Sequence, residues 1–289
     1  MAEPATYLEA VRETPLLQRA VAVGALSGLA CALLSPFVVL RRMAFVGDGM
    51  AHAAFGGLGV GLFLFAGSTS EDPSVQGLTI AFCLVLAVLV ARVSRRGGSG
   101  RISEDSAIGI AFSVSMALGA LLITLRFRRD PQYSPQWEQY LFGNLLTVGE
   151  SQVWITLGLT LAVVVVLLAL FKELSFYTYD ETLAELGGLP AGVLHYLFML
   201  LLVLTVTLTA RVIGVVLVSA SLVLPGLAAL AVSKRLGPAL AWAGLLGVVS
   251  YEAGLYFSYA WRVPPGSAVI LVQFCFVAVA LTWAKLKRE

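Results

Sequence analysis

The sequence predicts an all-α polytopic membrane protein, a single helical bundle over residues 1–289 with about nine transmembrane helices, or eight if the first span or the division of residues 193–232 is wrong. Two observations carry that prediction. Of the 289 residues, 59% are apolar or aromatic and only 12% are charged, against about 45–50% and about 25% in an ordinary soluble domain. The mean hydropathy is +0.90. Apolar runs with few charges also recur at 16–40, 44–66, 77–93, 106–125, 153–171, 193–210, 212–232, 237–260 and 267–284, and ~20 mostly apolar residues suffice for a helix to cross a bilayer.

The first twenty residues carry Glu3, Glu9 and Glu13 ahead of any long apolar run. A cleaved secretory leader starts basic instead, so a retained amphipathic lead-in is expected. Residues 193–232 form one nearly unbroken apolar stretch, too long for a single crossing, and Arg211 marks the expected division. Two loops are long enough to have their own shape. One, 126–152, contains PQYSPQWEQYLFGNLL and is expected to include a short interfacial helix. The other, 172–192, reads KELSFYTYDETLAELGGLPAG. There Thr178 and Glu181 have capping-box spacing, and Gly187, Gly188 and Pro190 stop the chain, which predicts a two-turn helix. Leu183 and Leu186 give that helix an apolar stripe, which reads either as a tidied loop or as a docking surface for a partner.

Basic residues orient the bundle. Arg41, Arg42, Arg92, Arg95, Arg96, Arg101, Lys172, Lys234, Arg235, Lys285, Lys287 and Arg288 fall on one face if the N-terminus is outside and the C-terminus inside; Arg126, Arg128 and Arg129 argue the other way. Tyr133, Trp137, Tyr140, Trp154, Tyr259, Trp261 and Trp283 are placed to sit at headgroup depth. A net charge of +2 makes no case for a nucleic-acid partner. Cys31, Cys83 and Cys275 lie far apart in apolar runs, without a CxxC pair, and read as buried packing thiols.

Ionisable groups inside the spans carry most of the functional information, because a charge near mid-bilayer is costly and generally faces a bundle interior or a water-filled path. Asp48 and His52, in GDGMAHAAFGGLGVG, are four apart and share one helical face, about 5–6 Å apart at Cβ. A carboxylate with a neutral imidazole suits Zn²⁺, Mn²⁺ or Fe²⁺. Two ligands make half a site, which a two-fold dimer would complete. The same spacing fits a hydrogen bond that only fixes helix packing, and spacing leaves both readings open. The glycines around them let this helix approach a neighbour closely. Glu252 lies mid-span with no obvious partner, lining a path or pairing with another span. His195 suits a local hydrogen bond. Pro225 removes a donor and frees the Ser221 carbonyl, so a kink is expected, with Ser219 and Ser221 available to satisfy the freed groups.

No G-x-x-x-x-G-K-[ST] and no HExxH is present. The chain therefore has no phosphate-cradling loop for ATP and no metalloprotease pattern, and any ATP-driven step belongs to another polypeptide.

Five segments in order resemble one family: LLQRAVAVGALSGLACALLSPFVVLRRMAFVGDGMAHAAFGG, ISEDSAIGIAFSVSMALGALLI, YLFGNLLTV, YDETLAELGGLPAGVLHYLFMLLLVLTVTLTARVIGVVLVSASLVLPGLAALA and SYAWRVPPGSAVILV. They are similar to permease subunits of the binding-protein-dependent zinc, manganese and iron ABC importers. The resemblance implies a helical permease of the bacterial plasma membrane that pairs with a second copy, with ABC ATPase subunits inside and a metal-binding protein outside. It implies no permanently bound cofactor, only a transported divalent ion. It places Asp48 and His52 on the permeation path, and an ATPase-coupling segment on Asp180–Gly187, including Glu181, Leu183, Ala184, Leu186 and Gly187. It supplies no counterpart for Glu252. The mechanism it implies is alternating access. The rival is an ion-coupled secondary transporter with Asp48, His52 and Glu252 as a proton relay, and the docking-type loop 172–192 speaks against it.

Overall fold

The computed structural model describes residues 4–65, 67–69, 72–96, 104–130, 143 and 148–287. Among these every regular element is a helix. Eight stretches are long and apolar enough to cross a membrane: Pro15–Leu40, Pro73–Val93, Ser106–Arg129, Glu150–Ala169, Ala191–Ile213, Val215–Val232, Leu236–Trp261 and Pro265–Leu286. The first expected span and the division of 193–232 are both present, so the eight differ from the nine expected only at the run 44–66. The expected run 44–66 folds as α3 (Val46–Leu64, 19 residues) and is not among the eight. Asp48, His52 and six glycines dilute its hydropathy.

The short α1 (Pro4–Glu13) precedes α2 (Pro15–Leu40). Proline at the first position starts α2 without wasting a donor. α2 is the hub of one half, packed on α6 (Glu150–Ala169), α11 (Leu224–Val232) and α12 (Leu236–Trp261). α13 (Pro265–Leu286) completes that half against α11 and α12. In the other half α3 packs on α4 (Pro73–Arg96), α5 (Glu104–Arg129), α9 (Ala191–Ile213) and α10 (Val215–Ser221).

The contact of α3 with its neighbours is made by backbone. A Cβ on Gly56 would stand 2.6 Å from the Ser115 carbonyl oxygen, one on Gly59 2.7 Å from Gly119 Cα, and one on Gly61 2.9 Å from Val75. Only hydrogen fits there, so α5 and α4 lie directly on α3. Small residues are how helices approach each other in lipid, where no hydrophobic drive separates helix from solvent.

Three local expectations are corrected. The division expected at Arg211 falls at Gly214 instead: α9 runs on to Ile213, and Gly214 takes φ 88°, a left-handed conformation that glycine adopts without a Cβ clash. Gly143 of the 126–152 loop packs against this break with no room for a side chain; the interfacial helix expected in that loop, with Tyr133, Trp137 and Tyr140, lies outside the described residues. The kink near Pro225 is present as a break at Leu222–Val223, but the serines do other work. Ser219 Oγ donates to the Val215 carbonyl at 3.0 Å, and Ser221 Oγ is 3.0 Å from the Tyr251 hydroxyl and accepts from Gln273 Nε2 at 3.0 Å. Pro225 sits in the first turn of α11, where a missing N–H costs nothing. The orphan Gly226 N–H there donates to Ser35 Oγ of α2 at 2.8 Å.

The third correction concerns the helix predicted in loop 172–192. It is α8 (Glu181–Leu186), preceded by α7 (Phe171–Tyr179). Its cap is Asp180, whose Oδ1 accepts from Leu183 N at 2.9 Å. Thr178 belongs to α7, and its hydroxyl donates back to the Leu174 carbonyl at 2.6 Å. A threonine that back-bonds within its own helix is not available to cap the next one. Cys31 and Cys83 are buried as expected, whereas Cys275 is exposed on α13.

Candidate functional site

Asp48 lies in the first turn of α3, where the helix N-terminus favours a carboxylate. His52 is one turn on, and its Nε2 is 3.5 Å from Asp48 Oδ1. The Asp48 side chain is 49% exposed and that of His52 17%, so the carboxylate opens outward while the imidazole is held. Phe112 of α5 holds it, its ring meeting the imidazole edge-on with centroids 4.7 Å apart. Gly47 presses α3 onto α10, its would-be Cβ 3.1 Å from Ser219 Cα.

No group of three or more His, Cys, Asp or Glu side chains able to hold a metal occurs among the described residues. What the pair offers on one face of α3 is one carboxylate oxygen and one imidazole nitrogen. Such a half-open pair can take the place of part of an ion's water shell and still release it.

Glu252 does not join the pair. It lies on α12 in the other half, facing α1, and its Oε1 is buried without a hydrogen-bond partner. Burial, and then the nearby Glu252 charge, push the Tyr7 phenol up to about 12. Tyr7 packs between Tyr256 and Tyr259, with ring centroids 5.5 and 5.4 Å away, and so anchors α1 to the bundle. His195 makes the local hydrogen bond expected of it: Nδ1 is 2.6 Å from the Tyr177 hydroxyl, in a buried site at the start of α9.

The second candidate surface is α8. Leu183 is 57% and Leu186 82% exposed, while Ala184 is buried. These residues, with Phe176, Gly187 and Leu189, line a groove of about 560 Å³. The apolar stripe foreseen from the sequence is thus real and uncovered in the single chain.

Two arginines were not foreseen. Arg126, counted from the sequence as a loop charge, is 6% exposed. Its guanidinium donates to the carbonyls of Leu62, of Phe65 at 2.9 Å and of Ser68 at 3.1 Å, so it caps the C-terminal end of α3. Arg41, at the end of α2, reaches Glu181 of α8 at 3.3 Å. Neither pairing has a local sequence signal, since the partners stand about sixty and 140 positions away.

The fold and these two surfaces define a class, a multi-pass helical membrane protein with a polar ligand face on a buried helix and an exposed apolar helix between spans. The profile of the ABC 3 transport family matches residues 13–284, and the chain belongs to that family. It is therefore a permease-type subunit rather than an ATPase. It is 34% identical over 264 residues to the manganese transport system membrane protein MntC of Halalkalibacterium halodurans, covering 91% of this chain and 86% of that one. It is 28% identical to the manganese import system permease protein ScaB of Streptococcus gordonii, covering 98% and 96%. Among solved structures it resembles PsaBC from Streptococcus pneumoniae in complex with Fab, with a TM-score of 0.81, 28% identity and coverage of 99% of this chain and 100% of that one.

Proposed function

We propose that this chain is the membrane permease of an ATP-driven, binding-protein-dependent importer of divalent metal ions, with manganese the first cargo to test and zinc and iron the alternatives. The observation that carries the reading is the Asp48–His52 pair, 3.5 Å apart on one face of α3. A carboxylate and an imidazole are donors that Mn²⁺, Zn²⁺ and Fe²⁺ all accept. The manganese transport named for the similar MntC and ScaB proteins supports manganese among them.

In this reading two copies pair so that a second Asp48–His52 face completes the coordination. A metal-binding protein delivers the ion from outside, and the 19-residue α3 crosses beside the eight apolar spans as a ninth, which leaves the N-terminus outside and the C-terminus inside. ATPase subunits dock on α8 through Leu183 and Leu186, beside the small Ala184 and Gly187. Their closure drives the bundle between outward- and inward-open states. In this reading Glu252, which lies on α12 near Tyr7 of α1, is left outside the path, and the rival proton relay would have to join it to the Asp48–His52 pair on α3.

The test is radiotracer uptake of manganese and of zinc in a host lacking its own importers, with the chain co-expressed with its candidate ATPase and binding protein. Uptake that requires the ATPase is the expected result, and the preferred tracer names the cargo. Uptake that persists without the ATPase would overturn the reading in favour of ion-coupled transport. Leu183→Asp is expected to abolish ATPase co-purification while the permease still inserts.

A further inference from the structure

The ATPase-docking helix and the helix that bears Asp48 are distant in sequence, yet one side chain connects them. Arg41 closes α2. Its Nη2 lies 3.3 Å and its Nη1 3.4 Å from Glu181 Oε2, the carboxylate of the first residue of α8. Nη1 also donates to the Tyr177 carbonyl at 3.3 Å. The guanidinium carbon sits 4.1 Å from the centre of the Tyr177 ring, a cation–π distance. Tyr177 is itself fully enclosed and hydrogen-bonded to His195 of α9. Three helices, α2, α7 and α8, therefore meet at one cation, and α9 joins them through Tyr177.

An exposed ion pair of this kind would be worth little. Here the Arg41 side chain is only 10% exposed, and the planar fork is engaged on its edge by the carboxylate and on its face by the ring, a combination lysine does not reproduce.

The next residues of the chain make the contact more than a brace. Arg42 takes φ 58°, a left-handed conformation uncommon for a residue with a Cβ. Met43, 1% exposed, donates its N–H to the Val38 carbonyl at 3.0 Å. The turn is thus closed by its own hydrogen bonds, and the Val46 N–H bonds the Met43 carbonyl at 3.0 Å to begin α3. The elbow between Arg41 and Asp48 contains no slack segment.

We propose that Arg41 is a positioning residue that transmits movement of α8, through Glu181, to the α2–α3 elbow and so to Asp48 and His52. The inference rests on the permease reading above, and adds a route by which ATPase motion reaches the ion. Coupling between distant sites is carried by chains of packed and hydrogen-bonded groups, and here the links are the Arg41–Glu181 pair and the Met43–Val38 and Val46–Met43 hydrogen bonds.

The test uses the full complex of permease and ATPase reconstituted in liposomes, with ATP hydrolysis and manganese tracer uptake measured on the same preparation. Arg41→Ala and Glu181→Gln are expected to lower the ions moved per ATP hydrolysed by about ten-fold, the scale of an ordinary coupling free energy between two sites. Arg41→Lys, which keeps the charge and lacks the fork, falls between. The charge-swapped pair Arg41→Glu with Glu181→Arg is expected to regain part of the ratio. A purely structural role would lower hydrolysis and uptake together in proportion to the complex assembled, so an unchanged ratio in the single variants, or a swap no better than either, overturns the relay. Wild-type complex without ATP-dependent uptake would overturn the permease reading and the relay with it, whereas wild-type uptake with unaffected variants removes the relay alone.

Discussion

Helices α3 and α13 are nearly equal in length, 19 and 22 residues, and solve opposite problems. α13 is a peripheral span. One stripe, Ala268, Val269, Gln273, Val277 and Ala280, is buried, while Leu271, Phe274, Val279, Leu281 and Trp283 are exposed on its outer side. Its surroundings ask only that it be apolar. α3 is enclosed by four helices and has given up bulk for glycine, so that backbone meets backbone on two sides while Asp48 and His52 occupy a third. Close packing makes a polar face tolerable: the neighbours are fixed, Phe112 holds the imidazole, and Arg126 satisfies the carbonyls at the far end.

The difference can be broken at several points. The largest effect is expected from Gly56→Val, which forces side-chain atoms onto the Ser115 carbonyl oxygen, 2.6 Å from a Cβ at that position. Overpacking typically costs about 1–3 kcal/mol and occasionally more, and with rigid backbone as the obstacle the upper end applies, so size-exclusion chromatography in detergent should show little folded protein. A wild-type yield would mean that α3 and α5 do not lie in backbone contact. Next is Arg126→Ala, which strips the C-terminal cap from α3 and leaves carbonyls buried; hydrogen bonds to a charged group are worth about 1.5–3 kcal/mol each. Thermal unfolding in detergent should fall by several degrees, and an unchanged midpoint would reduce Arg126 to a loop charge. The smallest is Val279→Ala on the outer face of α13, where a change within about 0.5 kcal/mol is expected. A larger loss would show that this face is covered by something other than lipid.

The same contrast explains what was legible in the sequence. α13 announces itself, because apolar composition is all its position requires. Asp48, His52 and the glycines of α3 were equally visible, since an acid, an imidazole and six small residues in one apolar run are conspicuous. The apolar stripe of α8 was visible too, although its cap was assigned to Thr178 rather than Asp180. Both residues have capping chemistry, and only the extent of α7 decides between them. The break at Gly214 was placed three residues early, because a charge is a louder mark in an apolar run than a glycine whose φ is unknown. Arg41 and Arg126 were seen as charges and counted toward orientation. Their actual roles depend on which carbonyls and carboxylates tertiary packing brings within reach, and no local pattern encodes that.

The central claim is that α3 carries the ion and α13 only encloses it. The most direct measurement compares manganese tracer uptake by assembled complexes bearing Asp48→Ala or Val279→Ala, normalised to co-purified ATPase. Asp48→Ala is expected to lose at least about ten-fold, the loss that removing even an outer partner of a metal ligand can cause, while Val279→Ala transports as wild type. Wild-type uptake by the Asp48→Ala complex would contradict the account and leave the pair as a packing feature of α3.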